Sequence, residues 1–90
     1  MKHANIKIYG QVQGVNFRHW AKMRATDYNL TGLVENKADG SLYIEVEGDV
    51  KNLLDFVEEC RHGPTSAEVI DVQYQIVDDL KDFKRFEILG

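Results

Sequence analysis

The sequence predicts an α+β fold in which two helices cover one face of a mainly antiparallel β-sheet, with the element order βαββαβ and a short extra C-terminal strand. Three observations lead to this prediction. Three segments alternate apolar and polar residues with the period of a half-buried strand. Two other segments repeat apolar residues every three or four positions, as a helix with one buried face does. The chain has 90 residues, 43% hydrophobic and 29% charged, which suffices for one two-layer core.

The chain begins with a predicted strand and a predicted helix. Residues 4–9 alternate apolar and polar side chains, and Gly10 ends the alternation, so the first strand is expected there. The next apolar residues lie three or four positions apart and would share one helical face; they are Phe17, Trp20, Ala21, Ala25 and Tyr28. A helix is therefore predicted from Phe17 to Tyr28.

A β-hairpin is predicted to follow the first helix. Residues 30–36 form its first strand, and residues 42–47 form its second, with apolar and polar side chains in alternation. Asp39-Gly40 is typical of the turn between two such strands. The hairpin would place the two strands side by side and antiparallel.

The second half of the chain is predicted to contain one helix and two strands. Asp49 is a candidate N-cap for a helix that ends near Arg61, before the helix-stopping pair Gly63-Pro64. The buried face of this helix is expected to consist of Val50, Leu53, Leu54, Val57 and Cys60. Residues 70–76 alternate as a fourth strand, and residues 86–88 suggest a short final strand.

This order of elements fits the ferredoxin-like arrangement, in which two right-handed crossovers place both helices on the same face of the sheet. The other face is expected to be more exposed to solvent, and the charged segment 78–84 to be a turn. Residues 1–90 are predicted to form a single domain, because no linker, repeat or low-complexity tract interrupts the pattern. The fold alone does not indicate a function, since many unrelated functions share it.

Composition and charge argue against several classes of function. Eleven Lys and Arg residues against fifteen Asp and Glu residues give a net charge of −4, which disfavours nucleic-acid binding because that binding depends on basic side chains. No apolar run exceeds three residues, far below the ~20 that a membrane span needs. The first seven residues contain no apolar secretory segment. We therefore expect a cytoplasmic protein with no nucleic-acid or membrane partner.

Cysteine and histidine usage gives no sign of a disulfide or a metal site. The single cysteine, Cys60, is interpreted as a small buried hydrophobic residue, and no Cys/His group has zinc-site spacing. His3, His19 and His62 are interpreted as peripheral residues. No metal or other cofactor is therefore expected. A monomer is expected as well, because no long apolar stripe is left over once the core is formed.

The segment between the first strand and the first helix has the features of an anion-binding turn. Gly10 and Gly14 flank it, and Arg18 lies in the first turn of the helix. N–H groups at a helix start have no intrahelical acceptors and lie at the positive end of the helix dipole. A guanidinium can hold two oxygens at once. The turn therefore favours a phosphate or carboxylate, although two glycines are also common in ordinary strand-to-helix turns.

Two motifs resemble the signatures of the acylphosphatase family. The first is Gly10-x-Val12-Gln13-Gly14-Val15-x-Phe17-Arg18, and the second is Gly32-x-Val34-x-Asn36-x-x-Asp39-Gly40 followed by Gly48. The likeness continues through Gly63-Pro64 and Ala67-x-Val69 to Phe86-x-Ile88, so it covers nearly the whole chain. That family has a ferredoxin-like fold, in agreement with the order predicted from periodicity.

The resemblance implies both an activity and the residues that carry it. Arg18 would bind the phosphate, and Asn36 would orient the attacking water. The phosphate-binding loop would be formed by the backbone of Gln13, Gly14, Val15, Asn16 and Phe17. The implied reaction is hydrolysis of a small acyl phosphate to a carboxylate and inorganic phosphate, without a metal. Direct attack by water is expected, because the loop contains no Cys, His or Asp that could act as a nucleophile.

Three positions in and beside the second motif depart from the family pattern, namely Leu33, Glu35 and Leu42. Glu35 matters most, because a carboxylate beside the site would repel a dianionic substrate. Since side chains alternate along a strand, however, Glu35 is expected on the face opposite Asn36. Its effect on affinity should then be modest.

Two other functions fit the same order of elements. RNA-binding modules share it, but they carry several aromatic residues on a central strand, where residues 42–47 have one aromatic and two acids. The main alternative is a non-catalytic anion-binding or regulatory module, similar to acylphosphatase-like domains within larger carbamoyl-transfer enzymes. Asn36 by itself also has a simpler interpretation, as a residue at a strand end that bonds the local backbone.

Overall fold

A computed structural model describes all residues from Met1 to Gly90 and confirms the predicted α+β fold, with its βαββαβ order and short C-terminal strand. The elements are β1 (Lys2–Gln11), α1 (Phe17–Asp27), β2 (Thr31–Asn36), β3 (Leu42–Gly48), α2 (Val50–Cys60), β4 (Glu68–Val77) and β5 (Phe86–Leu89). The predicted bounds differ from these only by residues at the ends of the elements. Neither helix is long and apolar enough to cross a membrane.

The five strands form one sheet in the order β4-β1-β3-β2-β5. Neighbouring strands are antiparallel except β2 and β5, which are parallel. β3 lies between β1 and β2 and is antiparallel to both, so β1 and β2 run in the same direction. The carboxyl ends of β1 and β2 therefore reach the same end of the sheet. Leu42 of β3 pairs with both Ile8 and Asn36 and fixes this alignment.

The hydrophobic core lies between the sheet and the two helices. Its 18 buried residues come from both helices, all five strands and the segments next to them. α1 contributes Phe17, Ala21 and Ala25, which confirms its predicted apolar face, and Trp20 and Tyr28 are partly buried beside them. Full burial of one large apolar side chain contributes about 1.5–3 kcal/mol. The first residue of α1, Phe17, is therefore anchored in the core.

The buried face of α2 differs in part from the predicted one. Three of the predicted residues are buried, namely Leu53, Val57 and Cys60. Phe56 is buried as well, whereas Val50 and Leu54 are 40% and 42% exposed. Phe56 and Leu54 are two positions apart and lie on nearly opposite sides of a helix with 3.6 residues per turn. Only one of them can face the sheet, and the larger aromatic ring takes that place.

The two ends of α2 lie where the sequence predicts them. Asp49 is the N-cap residue, as predicted, but its side chain makes no capping hydrogen bond. Only its backbone carbonyl contributes, by accepting a hydrogen bond from Leu53 N at 2.9 Å. At the other end, Cys60 is completely buried, as predicted. Burial raises the pKa of its thiol, which disfavours the reactive thiolate.

β4 contains an irregularity that its alternating sequence did not predict. Tyr9 pairs with Asp71 and Gly10 pairs with Val69, so Ile70 has no partner on β1 and forms a bulge. Ile70 is 77% exposed as a result, while Val69 packs against the core. A bulge adds one residue to a strand and exchanges the faces beyond it. In the predicted alternation of residues 70–76, Val72 and Ile76 therefore pack against the core, whereas Ile70, at the bulge, does not.

The sheet face opposite the helices was predicted to be the more exposed one, and one part of it is covered. His3, Glu45 and Glu47 are only 3%, 6% and 3% exposed. The segment 78–85 lies over them, and the ring of Phe83 stacks on that of His3 with centroids 6.1 Å apart. The interpretation of His3 as peripheral is therefore wrong. Sequence periodicity distinguishes two faces of a strand, but it does not show that a distant, irregular segment covers one of them.

Glu47 ties this covering segment to the sheet. Its carboxylate accepts hydrogen bonds from the His3 ring at 2.7 Å and from the backbone N–H groups of Lys81 at 2.6 Å and Phe83 at 3.4 Å. Burial raises the pKa of the Glu47 carboxyl, but these hydrogen bonds outweigh it. The pKa of Glu47 therefore lies below its ordinary value of 4.5.

We predict that Glu47→Gln lowers the free energy of unfolding by about 1–3 kcal/mol at neutral pH, because hydrogen bonds to a charged group are weakened. The pKa of Glu47 is lower in the folded chain than in the unfolded one. The stabilisation by Glu47 is therefore complete at pH values above the pKa that its carboxyl has in the unfolded chain. It is lost as the pH falls through the lower pKa that the carboxyl has in the folded chain. Urea unfolding at a series of acidic pH values should show a shallower loss of stability in the variant.

Glu68→Gln is a matched control for this experiment, because Glu68 is exposed on β4. It should leave both the stability at neutral pH and the acid dependence close to those of the parent. If Glu47→Gln also left the acid dependence unchanged, Glu47 would not be the group that ties residues 78–85 to the sheet.

Candidate active site

A cavity of about 220 Å³ lies where the carboxyl ends of β1 and β2 meet the start of α1. Its lining residues are Val12, Gly14, Asn16, Phe17, Arg18, His19 and Asn36. The parallel directions of β1 and β2 bring these residues together, because the loop after β1 and the last residue of β2 reach the same end of the sheet. The cavity therefore depends on the strand order as well as on the local motifs.

The loop before α1 and the first turn of α1 leave their backbone donors open. None of the N–H groups from Gly14 to His19 donates a hydrogen bond within the protein, and the first backbone bond of α1 joins Trp20 N to Asn16 O at 3.2 Å. Asn16 is the N-cap residue, with φ 65°, and its side chain caps no N–H group. The first turn contains no acidic residue, so nothing there compensates the positive end of the helix dipole. This arrangement suits an anion.

Arg18 is half-buried in the cavity wall and has no acidic partner. The other three arginines form ion pairs, in which Arg24 lies 2.7 Å from Glu59, Arg61 lies 3.3 Å from Glu58, and Arg85 lies 3.9 Å from Glu87. A guanidinium without a counter-ion can bind an oxyanion through two parallel hydrogen bonds. Arg18 is therefore the arginine of this chain that is available to a ligand.

Asn36 is the last residue of β2 and lies in the same cavity wall. The sheet holds its backbone, since Asn36 pairs with Leu42 and its N–H donates to Gly90 O at 3.2 Å. Its side-chain oxygen Oδ1 is buried and has no hydrogen-bond partner in the protein. Leaving a buried acceptor unpaired costs about 1–3 kcal/mol. A donor in the cavity, such as a water molecule, would remove this cost.

The structure brings five of the seven predicted site residues to the cavity, namely Gly14, Asn16, Phe17, Arg18 and Asn36. Gln13 and Val15 do not line it. Val15 packs against the core, and its carbonyl accepts a hydrogen bond from Ser66 Oγ at 2.6 Å. The side chain of Gln13 reaches the β2–β3 turn, where Nε2 donates to Lys37 O and Ser41 O at 2.8 and 2.9 Å. These two residues therefore brace the loop instead of lining the cavity.

Sequence reasoning missed two of the lining residues. Val12 is 1% exposed, and His19 is exposed in the first turn of α1. His19 lies at the surface, as predicted, but it also lines the cavity. Its place directly after Arg18 could have indicated this, because residues in a first helical turn surround the same open N–H groups. Nothing local in the sequence indicates Ser66, which is 51 positions from Val15.

Glu35, the acidic departure from the family motif, lies away from the cavity. Its carboxylate pairs with Lys37 Nζ at 2.8 Å, and this ammonium lies 5.0 Å from the centre of the Tyr43 ring. Neighbouring residues of a strand point to opposite faces, so Glu35 and Asn36 lie on different sides of the sheet. Its position on the opposite face of the sheet and its ion pair both weaken any repulsion of an anionic ligand.

The cavity combines open backbone N–H donors, one unpaired guanidinium and one unpaired amide oxygen. No group of three or more His, Cys, Asp or Glu side chains is placed to hold a metal ion. The donors can bind a phosphoryl group, and the amide oxygen can accept a hydrogen bond from water. Charge stabilisation and alignment of this kind are the main requirements of phosphoryl transfer.

Comparison with known proteins identifies relatives of the chain. The family model described as Acylphosphatase matches residues 4–88. An acylphosphatase of Oceanobacillus iheyensis is 37% identical over 89 residues, which are 98% of this chain and 98% of that protein. An acylphosphatase of Clostridium acetobutylicum is also 37% identical over 89 residues, which are 99% of this chain and 98% of that protein.

Two solved structures resemble the chain in different contexts. The crystal structure of acylphosphatase from Bacillus subtilis matches with a TM-score of 0.97 and 34% identity, over 100% of both chains. Full-length HypF, in a crystal structure of its phosphate- and nucleotide-bound form, matches with a TM-score of 0.86 and 36% identity. That match covers 99% of this chain but 12% of HypF. A similar sequence and fold thus occur in a chain of this length and within a much longer protein.

The contact between Gly63 and Phe17 beside the cavity gives a stability prediction. Gly63 has φ +66°, and a Cβ there would lie 2.7 Å from Phe17 Cε2. Gly63→Ala should therefore add a backbone cost of about 1–2 kcal/mol and an overpacking cost of about 1–3 kcal/mol. Gly40→Ala is the matched control, because Gly40 has φ +91° with open space around it. Equal losses of stability in urea unfolding would contradict the overpacking against Phe17.

Proposed function

The chain belongs to the acylphosphatase family, as its sequence motifs indicated, and we propose that the cavity lined by Arg18 and Asn36 is its active site. The activity is hydrolysis of the carboxyl–phosphate bond of a small acyl phosphate, with a carboxylate and inorganic phosphate as products. The observation that carries the proposal is that Arg18 and Asn36, both without protein partners, line one cavity.

In this proposal the phosphoryl group binds to the start of α1. The Arg18 guanidinium holds two of its oxygens, and the open N–H groups of the loop and first helical turn bind the others. Gly14, Asn16 and Phe17 supply the N–H groups nearest to the cavity. No acidic residue in the first turn of α1 competes for these donors. The negative charge of the phosphoryl group is thus balanced without a metal ion.

Asn36 orients the attacking water. Its buried oxygen accepts a hydrogen bond from the water, so that the water oxygen has a fixed direction towards phosphorus. The sheet restrains the Asn36 backbone through its pairing with Leu42, which limits the range of this direction. Alignment matters here because the water, the phosphorus and the leaving oxygen must lie roughly in line.

The leaving group explains why such a small set of residues suffices. A carboxylic acid has a pKa of about 4, so the carboxylate leaves without protonation at neutral pH. No general acid is therefore needed for that step. Phosphoryl transfer passes through a loose transition state, whose main demands are charge stabilisation and alignment. Arg18 and the N–H groups supply the first, and Asn36 supplies the second.

We predict that the protein hydrolyses benzoyl phosphate to benzoate and inorganic phosphate in the presence of a metal chelator. The reason is that the proposed phosphate contacts come from the chain alone. The alternative function, a non-catalytic anion-binding module, would bind inorganic phosphate without turnover. Release of both products measured in the same sample decides between the two functions.

The same reaction mixture tests the direct attack of water. A covalent phosphoenzyme trapped by rapid quenching would contradict it and would point to His19, the one possible nucleophile that lines the cavity. For direct attack by water, we expect no radioactivity on the protein when a reaction with acyl phosphate labelled in its phosphoryl group is rapidly quenched.

We predict different kinetic effects for the two central residues. Asn36→Ala should lower kcat about 10²–10³-fold, since the water loses its alignment, while the inhibition constant of inorganic phosphate stays within about threefold. Arg18→Ala should lower kcat and also raise that inhibition constant at least about tenfold, because the main phosphate ligand is gone. Steady-state kinetics with benzoyl phosphate, and inhibition by inorganic phosphate, check both expectations.

Matched variants control for the substitutions themselves. Asn52 is half-buried on α2 outside the cavity, and Arg61 is an exposed arginine paired with Glu58. Asn52→Ala and Arg61→Ala should keep the kinetics of the parent. Near-normal activity in Asn36→Ala or in Arg18→Ala would remove the corresponding residue from the mechanism. A parallel loss of phosphate binding and stability in Asn36→Ala would instead support a structural role.

A further inference from the structure

Gln13 links the loop before α1 to the turn between β2 and β3. Its side-chain nitrogen Nε2 donates to Lys37 O at 2.8 Å and to Ser41 O at 2.9 Å. An amide nitrogen carries two hydrogens, so both bonds can form at once. The acceptors are 24 and 28 positions away in the sequence. Gln13 is thus a cross-link between the loop that lines the cavity and the turn that follows Asn36, another lining residue.

The two acceptor carbonyls belong to the turn that begins directly after Asn36. Lys37 N donates to Ser41 O at 2.9 Å, and Gly40 N donates to Lys37 O at 3.1 Å. Each carbonyl therefore accepts one hydrogen bond within the turn and a second from Gln13. A carbonyl oxygen has two lone pairs and can accept both. The two hydrogen bonds from Gln13 therefore hold this turn against the loop. Asn36, the last residue of β2, directly precedes the turn.

Both parts that Gln13 connects keep their own shape through other contacts. In the turn, the carboxylate of Asp39 accepts hydrogen bonds from Ser41 N at 2.9 Å and from Ser41 Oγ at 2.5 Å. In the loop, Ser66 Oγ donates to Val15 O at 2.6 Å. Loss of the Gln13 bonds should therefore change the position of the turn relative to the loop more than the shape of either part.

We propose that Gln13 is a positioning residue that sets the distance between Asn36 and the phosphate-binding loop. The proposal rests on the proposed function, in which the loop and Arg18 bind the phosphoryl group while Asn36 orients the water. The Gln13 side chain does not line the cavity, and its donors are occupied by the two carbonyls. It acts through Asn36, because a displaced β2 end moves the water but removes no phosphate ligand. A misplacement of about 1 Å can cost about hundredfold in rate.

The kinetic test uses Gln13→Met, which keeps the size of the side chain without its donors, and Gln13→Glu, which has acceptors only. Gln11→Met is the matched control, at an exposed position of β1. Both Gln13 variants should lose about tenfold to hundredfold in kcat with benzoyl phosphate. The inhibition constant of inorganic phosphate should change less than about threefold, and Gln11→Met should match the parent. An unchanged kcat, or a parallel loss of phosphate affinity, overturns the proposal.

A double-mutant cycle with Asn36 tests the route of the effect. If Gln13 acts through Asn36, Gln13→Met should change kcat less than about threefold in the Asn36→Ala background, because the residue that it positions is absent. An effect as large as in the parent background overturns the proposal, since Gln13 would then act on the reaction by another route.

A spectroscopic measurement separates this proposal from the proposed function. In ¹H–¹⁵N NMR spectra, the side-chain amide signals of Asn36 should shift in Gln13→Met. The backbone amides from Gly14 to Arg18 should keep their response to inorganic phosphate. Failure of the parent to hydrolyse benzoyl phosphate would contradict the proposed function but not the positioning role. The positioning role is decided by the Asn36 signals: a shift in Gln13→Met supports it, and unchanged signals overturn it. If Gln13→Met does not fold by circular dichroism, Gln13→Glu carries the same test.

Discussion

The site depends on strong hydrogen-bonding groups that the fold keeps without protein partners at one end of the sheet. The Arg18 guanidinium, the Asn36 oxygen and the N–H groups at the start of α1 all belong to this set. Such groups cost free energy in the folded chain unless water or a ligand satisfies them. The core offsets that cost, since Phe17 beside the donors and Val34 two residues before Asn36 are almost fully buried. The same packing therefore stabilises the fold and keeps the donors open.

The strand order gives the site its width. β1 and β2 are parallel but not adjacent, because β3 lies between them. Neighbouring strands are about 4.8 Å apart, so the ends of β1 and β2 are separated by about 10 Å. On the proposed mechanism, a gap of this size accommodates a phosphoryl group and a water molecule between the loop and Asn36, whereas two adjacent strands would leave no such space. Gln13 spans the gap from the loop to the turn after β2, which explains why one side chain can influence its width.

The features that could be predicted from the sequence depend on short-range patterns. The order of the elements follows from periodicity. The expectation that Arg18 and Asn36 share one site came from the resemblance of two short motifs to those of a known family, and both residues line the cavity. The features that could not be predicted depend on distant or irregular contacts. Phe83 covers His3 from a segment without periodicity, and a bulge at Ile70 exchanges the faces of β4. No sequence pattern shows which way a side chain in a loop will turn, and this is the reason the link made by Gln13 was missed.

On the proposed mechanism, the lining of the cavity restricts the reaction to phosphate bonds with a good leaving group. An alkyl phosphate would release a strongly basic alkoxide, which needs a proton donor in the transition state. His19 is the only imidazole among the lining side chains, and it is exposed to solvent at the rim of the cavity. A carboxylate needs no such donor, since its conjugate acid has a pKa of about 4. Apart from the exposed His19, the lining offers no general acid. The cavity therefore favours acyl phosphates, and it needs no specific contact with the acyl group to do so.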